Sequence, residues 1–140
     1  DAIAQGRVLL IGTCNRMGAL TPEMRSRFRL GTFFFDFPDD VESAALWKMF
    51  RAKFNLPEKD PRPEAKNWVG REIESCCELS YLLGIPLREA AGYIVPVAQS
   101  AAAEIEAIRA FASGRFISAS KPGIYVSQKV APTGRKFEIA

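Results

Sequence analysis

Histidine is missing from all 140 residues. Its absence removes Ser–His and Cys–His nucleophile pairs, imidazole metal ligands and the side chain best suited to shuttling protons near neutral pH. Cysteine is scarce: Cys14, Cys76 and Cys77 form no CxxC pair, and cysteines adjacent in sequence seldom bridge each other. Neither a disulfide framework nor a metal site is indicated, and a reducing, cytoplasmic setting is expected. No apolar run reaches the length of a membrane span, so no membrane partner is expected. The opening Asp1-Ala-Ile-Ala-Gln-Gly resembles neither an initiator segment nor a signal peptide, and the chain is expected to be a piece of a longer protein. Charge of one sign is also in short supply, because 19 Lys+Arg against 16 Asp+Glu leave only +3, too weak by itself to argue for a nucleic-acid surface.

What is present is apolar. At 48% hydrophobic residues, the chain can bury one sizeable core or two small ones. One region is unbalanced: Arg7, Arg16, Arg25, Arg27 and Arg29 meet only Asp1 and Glu23 among the first thirty residues. That local excess asks for an anionic partner.

Arg7 to Thr13 reads RVLLIGT, the nearly continuous apolar pattern of a strand covered on both faces in a parallel sheet. It ends in Cys14-Asn15, at the carboxyl end where ligands of open α/β sheets gather. Thr21 then caps a short helix with Pro22 at its first position and Glu23 in its first turn, and Gly31 closes the segment. Thr32 to Phe37 reads as a second buried strand, with Phe33-Phe34-Phe35 in the core, closed by Pro38-Asp39-Asp40. Asp40 is expected to cap a helix through about Phe54, with Val41, Ala45, Met49 and Ala52, or Phe50 and Phe54, facing inward. Leu56 to Lys66, with Pro57, Pro61 and Pro63, is a loop. A helix is expected from about Gly70 to Leu83, burying Ile73, Cys76, Cys77, Ser80 and Leu83, and Gly84 stops it. Pro86 to Ala112 is helical again along Ile94, Ala98, Ala101, Ile105, Ile108 and Ala112, kinked or divided at Pro96. Short extended pieces are expected at Arg115–Ile117, Gly123–Val126 and Lys136–Ile139.

This order of parts, a strand ending in Thr-Cys-Asn-Arg, a helix opening Pro-Glu and leading to Arg-Ser-Arg-Phe, a strand, Pro-Asp and a helical bundle, resembles the second half of an AAA+ ATPase module. The resemblance covers Val8 to about Leu83. It implies a chain that is α/β but mostly helical: residues 1–38 as the end of a P-loop NTPase parallel sheet, 39–112 as a helical lid and extension, and 113–140 as a family-specific tail. Pro86 to Val126 is also similar to the carboxyl-terminal extension of bacterial, plasmid or phage-type ATPases. By the same resemblance Asn15 is the sensor-1 asparagine, Arg27 the arginine finger with Arg25 beside it, and Gly70-Arg71 the sensor-2 position that touches nucleotide. The implied cofactors are ATP and Mg2+, and the implied partners are identical subunits in a ring, a hexamer, acting on a protein or nucleic acid.

No GxxxxGK[ST] and no apolar strand ending in paired acids occurs in the sequence, so the groups that cradle phosphates and hold Mg2+ lie outside it, and this chain alone should not hydrolyse ATP. The chemistry of the implied residues fits phosphoryl transfer. An uncharged amide such as Asn15 can accept from a water and donate to a phosphate oxygen, where a carboxylate would repel the nucleotide. A guanidinium offers several donors and never loses its proton. Against these roles stand plainer ones: Asn15 as a turn residue, Arg25 and Arg27 as a solvated helix face, Arg71 paired with Glu74 or exposed, Arg16 and Arg29 as structural, Cys76-Cys77 as lid filling, and Trp68 and Tyr81 as packing residues. The rival for the whole chain is a helical adaptor or nucleic-acid-binding module that sets Arg7 to Arg29 against phosphates.

Overall fold

A computed structural model describes residues 5–6 and 8–127, which separate into two compact units, Asp1–Thr32 and Phe33–Ala140. The described part is mostly helical with one small parallel sheet. The Lys136–Ile139 piece expected to be extended lies outside the described residues.

In the first unit a single 3-10 turn, Met17–Ala19, precedes α1, Pro22–Arg27. Thr21 caps α1 as the sequence requires: its hydroxyl accepts the Met24 N–H at 3.3 Å, and Pro22 sits where a missing N–H costs nothing. The helix stops before Gly31, because the Phe28 N–H turns back to the Arg25 carbonyl at 3.1 Å. The expected strand from Val8 to Thr13 is not formed. The segment is irregular and exposed, Ile11 to 77%. A strand takes its hydrogen bonds from a neighbour, and among the described residues the only strand pairing lies elsewhere. The Phe28 ring lies 3.8 Å from where a Cβ on Gly12 would stand, so this segment and the end of α1 touch.

The second unit opens with β1, Phe33–Phe34, and continues with α2, Asp40–Lys53, α3, Gly70–Leu83, α4, Leu87–Ala90, α5, Val97–Ser100, α6, Ala102–Ala112, and β2, Ile117–Ser118. Strand β1 is shorter than expected, and it pairs in parallel with β2, Phe33 opposite Ile117 and Phe34 opposite Ser118. The Phe33-Phe34-Phe35 run is not core. Only Phe34 turns inward, while Phe35 is 81% exposed, the alternation that a strand with one covered face imposes.

Asp39, one residue before the expected cap, starts α2. Its carboxylate accepts the Val41 and Glu42 N–H groups at 3.0 and 2.9 Å, and Glu42 returns a bond to the Asp39 N–H at 3.0 Å. The first inward stripe proposed for α2 is wrong: Val41 is 78% exposed, and Ala45, Met49 and Ala52 are exposed too. The alternative, Phe50 and Phe54, packs on the core with Leu46, around a fully buried Trp47 that the periodicity passed over. Trp47 meets Trp68 at 6.3 Å between ring centroids.

Helix α3 has the expected bounds. Ile73, Cys76, Cys77 and Ser80 are buried, but Leu83 is exposed because the helix ends there at Gly84, whose φ of 62° is left-handed. The Leu56–Lys66 loop is fixed by Arg51, whose guanidinium donates to the Glu58 carbonyl at 3.0 Å and to the Asp60 carbonyl. The Asp60 carboxylate in turn accepts the Leu87 N–H at 2.9 Å. Pro86 to Ala112 is not one helix. Pro86 and Pro96 each stand immediately before a short helix, where proline is tolerated, and α6 follows a break at Ala101. Beyond α6 the expected extended pieces form: the Tyr125 N–H donates to Phe116 at 2.8 Å, and Ile117 bridges Ile124 in antiparallel sense.

Candidate functional site

Asn15 lies in an exposed bend between the Val8–Thr13 segment and the 3-10 turn. Local bonds hold its surroundings: the Cys14 thiol donates to the Arg16 carbonyl at 3.1 Å, and the Ala19 N–H to the same oxygen at 3.2 Å. Arg27 is the last residue of α1 and is exposed, whereas Arg25, two residues earlier, is half-buried. Phe28, resting against Gly12, anchors the residue next to Arg27. Asn15, Arg25 and Arg27 therefore belong to one unit, with the amide and one guanidinium open to solvent. The donors suit anionic oxygens.

Gly70 and Arg71 belong to the second unit, at the first two positions of α3. Gly70 packs on Leu46, whose methyl groups lie 3.7 and 3.9 Å from the position of an added Cβ. Arg71 is exposed. Of the plainer readings for Arg71, the exposed one is what the structure shows; Glu74 is engaged instead by Lys53 of α2, a bond that raises the lysine's proton affinity. Among the described residues no group of three or more His, Cys, Asp or Glu is placed to hold a metal ion.

The best-connected polar groups were missed. Glu72 is 9% exposed and serves two helices at once: Oε2 accepts the Val69 N–H at 2.8 Å at the start of α3, and Oε1 accepts the Val97 N–H at the start of α5. Val69 has no side-chain oxygen, so this is half of a capping box, and an acid two residues after Gly70 was its signal. Asp36 is the second. Its Oδ1 accepts the Phe37 N–H at 2.8 Å and Arg109 Nε at 2.8 Å, and its Oδ2 accepts the Tyr125 hydroxyl at 2.6 Å. Arg109 also lies 5.0 Å from the Phe37 ring centroid and bonds Glu106 at 2.9 Å, while the Tyr125 ring meets Phe34 at 4.5 Å.

Burial works to raise the Asp36 carboxyl, yet the bonds from Tyr125, Arg109 and the Phe37 N–H outweigh it and hold the group below the usual carboxylate range. Tyr125 is pushed up to about 12, first by burial and then by donating to Asp36. Burial also lifts the Cys76 and Cys77 thiols, to about 12 and about 11, so near neutral pH they stay protonated and serve as core packing. Of the two aromatics weighed as packing residues, Trp68 is buried and Tyr81 is exposed beside Phe54.

Compared with known proteins, the chain matches no family model, no curated protein and no solved structure.

Proposed function

We propose that the chain is the carboxyl-terminal part of an AAA+ ATPase subunit, working in a ring of identical subunits, a hexamer, that uses ATP and Mg2+ to remodel or translocate a protein or nucleic acid. The observation that carries this reading is the pair of segments flanking α1: Thr-Cys-Asn-Arg before it and Arg-Ser-Arg-Phe at its end, with Asn15 and Arg27 both exposed. In this reading Asn15 orients the attacking water on its own subunit's nucleotide, and Arg27, with Arg25 beside it, neutralises charge developing on the neighbour's γ-phosphate. In this reading α2 and α3 belong to the lid, and Gly70 and Arg71 at the start of α3 are its nucleotide-contacting residues. Mg2+ would need acids that the described residues do not bring together, and when bound it would supply charge neutralisation during phosphoryl transfer.

The test is ATP turnover by the full-length protein. Asn15→Ala and Arg27→Ala should each abolish most of it while ring assembly, followed by light scattering, is retained. Full turnover in both variants would reject the reading. Binding of duplex DNA by this chain alone that weakens steeply with salt would favour the nucleic-acid-binding rival instead.

A further inference from the structure

Within the second unit, the start of the proline-rich loop, the end of α3 and the turn into α4 enclose a cleft of about 370 Å3, the size of a small binding site. Its walls are mostly apolar, with Leu56, Ile85 and Pro86 among them, and Asp60 is the one charged side chain in the lining. The protein holds Asp60 from two sides. Arg51 donates to its main-chain carbonyl, and its Oδ2 accepts the Leu87 N–H at 2.9 Å. Among the described residues nothing donates to Oδ1, and no lysine or arginine pairs with the carboxylate. A half-buried anion is thus fixed in an apolar wall with one oxygen open.

Two further features give the cleft a preference for positive charge. Tyr81 lines it and is 59% exposed, and no described cation stands over its ring: Lys53 lies over Phe54 instead, 5.4 Å from the centroid, and is held by Glu74. Helix α3 also brings its carbonyl end to the cleft at Gly84 and has no basic residue in its last turn, so the partial negative charge there goes unanswered by the helix itself. Covering the cleft with an apolar group alone would strip water from Asp60 and return nothing. The occupant has to bring a donor as well as apolar surface.

We propose that this cleft docks an arginine side chain, flanked by apolar residues, from a partner protein: its guanidinium donates to Asp60 Oδ1 and lies on the Tyr81 ring, while the neighbouring apolar side chain covers Leu56 and Ile85. Arginine suits the site better than lysine, because a planar guanidinium stacks on a ring and donates from its edge at once and sheds its water more easily than an ammonium. The site is independent of the ATPase reading.

The test is calorimetric titration of the full-length protein with acetyl-Gly-Leu-Arg-Leu-Gly-amide, up to about 1 mM. The same peptide with citrulline in place of arginine keeps the shape and loses the charge. The arginine peptide should bind saturably, and the citrulline peptide about tenfold more weakly. Asp60→Asn retains an oxygen for the Leu87 N–H and should weaken the arginine peptide about tenfold. Tyr81→Ala, at an exposed position, should weaken it about threefold. Glu58→Gln removes the same charge from an exposed residue of the same loop, outside the lining, and should change affinity less than about twofold. Should Asp60→Asn fail to fold, the citrulline comparison and Tyr81→Ala decide the matter. No saturable binding, equal affinity for the two peptides, or a loss in Glu58→Gln as large as in Asp60→Asn overturns the proposal. Self-association of the full-length protein that Asp60→Asn abolishes also overturns it, because the cleft then belongs to a second copy.

Discussion

The two units differ in what holds them. Phe33–Ala140 has an interior: Ile73, Cys76, Cys77 and Leu87 are fully enclosed, and two tryptophans meet beside them. Asp1–Thr32 has none; no described side chain in it is buried, although Val8 to Ile11 are as apolar as any stretch of the chain. The contrast separates stability from chemistry. Residues that build the core of the second unit are enclosed, whereas Asn15 and Arg27, proposed to act on nucleotide, stand exposed on a bend and a short helix.

That division can be broken by substitutions on each side. Arg27→Ala in the full-length ring should lower ATP turnover by on the order of a thousandfold. It should leave the melting temperature unchanged, since an exposed arginine contributes little to folding. Ile73→Ala should do the reverse: it empties an enclosed position and should cost about 3 kcal/mol, lowering the melting temperature by roughly 10 °C in a calorimetric scan.

Alkaline pH sharpens the same contrast. Tyr125, Cys76 and Cys77 all have folded-state pKa values above their ordinary ones, so each stabilises the protein below its unfolded value and loses that contribution as pH rises through the folded value. Stability of this chain should decline as pH rises from about 9 through about 12, the interval spanned by the thiols and the phenol. Tyr125→Phe should flatten only the part above about 10, measured by denaturant titration at each pH. Asp36 acts with the opposite sign, its contribution being lost as pH falls through its lowered value. The smallest effect is expected in the first unit: Ile11→Ser, at a 77% exposed position, should change stability by less than about 0.5 kcal/mol.

Local signals were legible where one residue type has one job. Thr21 with Pro22, Gly84, and the proline-rich loop before Asn67 all sit where the sequence put them, because capping, a left-handed turn and loop breaking need no distant partner. Apolar pattern alone failed where a partner decides the outcome. RVLLIGT has the composition of a strand but no neighbour among the described residues, and in α2 a stripe through Val41 and Met49 lost to one through Trp47 and Phe50 because Trp68 waits on that side. Of the candidate site residues, Asn15, Arg27 and Arg71 are exposed, and Glu74 is bound to Lys53. Asp36 and Glu72 escaped notice because their partners, Arg109, Tyr125 and Val97, are 73, 89 and 25 residues away in sequence.

The most direct measurement mixes two full-length subunits, one carrying Arg27→Ala and the other disabled in its own phosphate-binding loop. If Arg27 acts on the neighbour's nucleotide, mixed rings regain turnover that neither parent possesses, because an intact guanidinium then faces an intact phosphate site. Mixed rings that assemble fully yet stay as inactive as their parents would contradict the account.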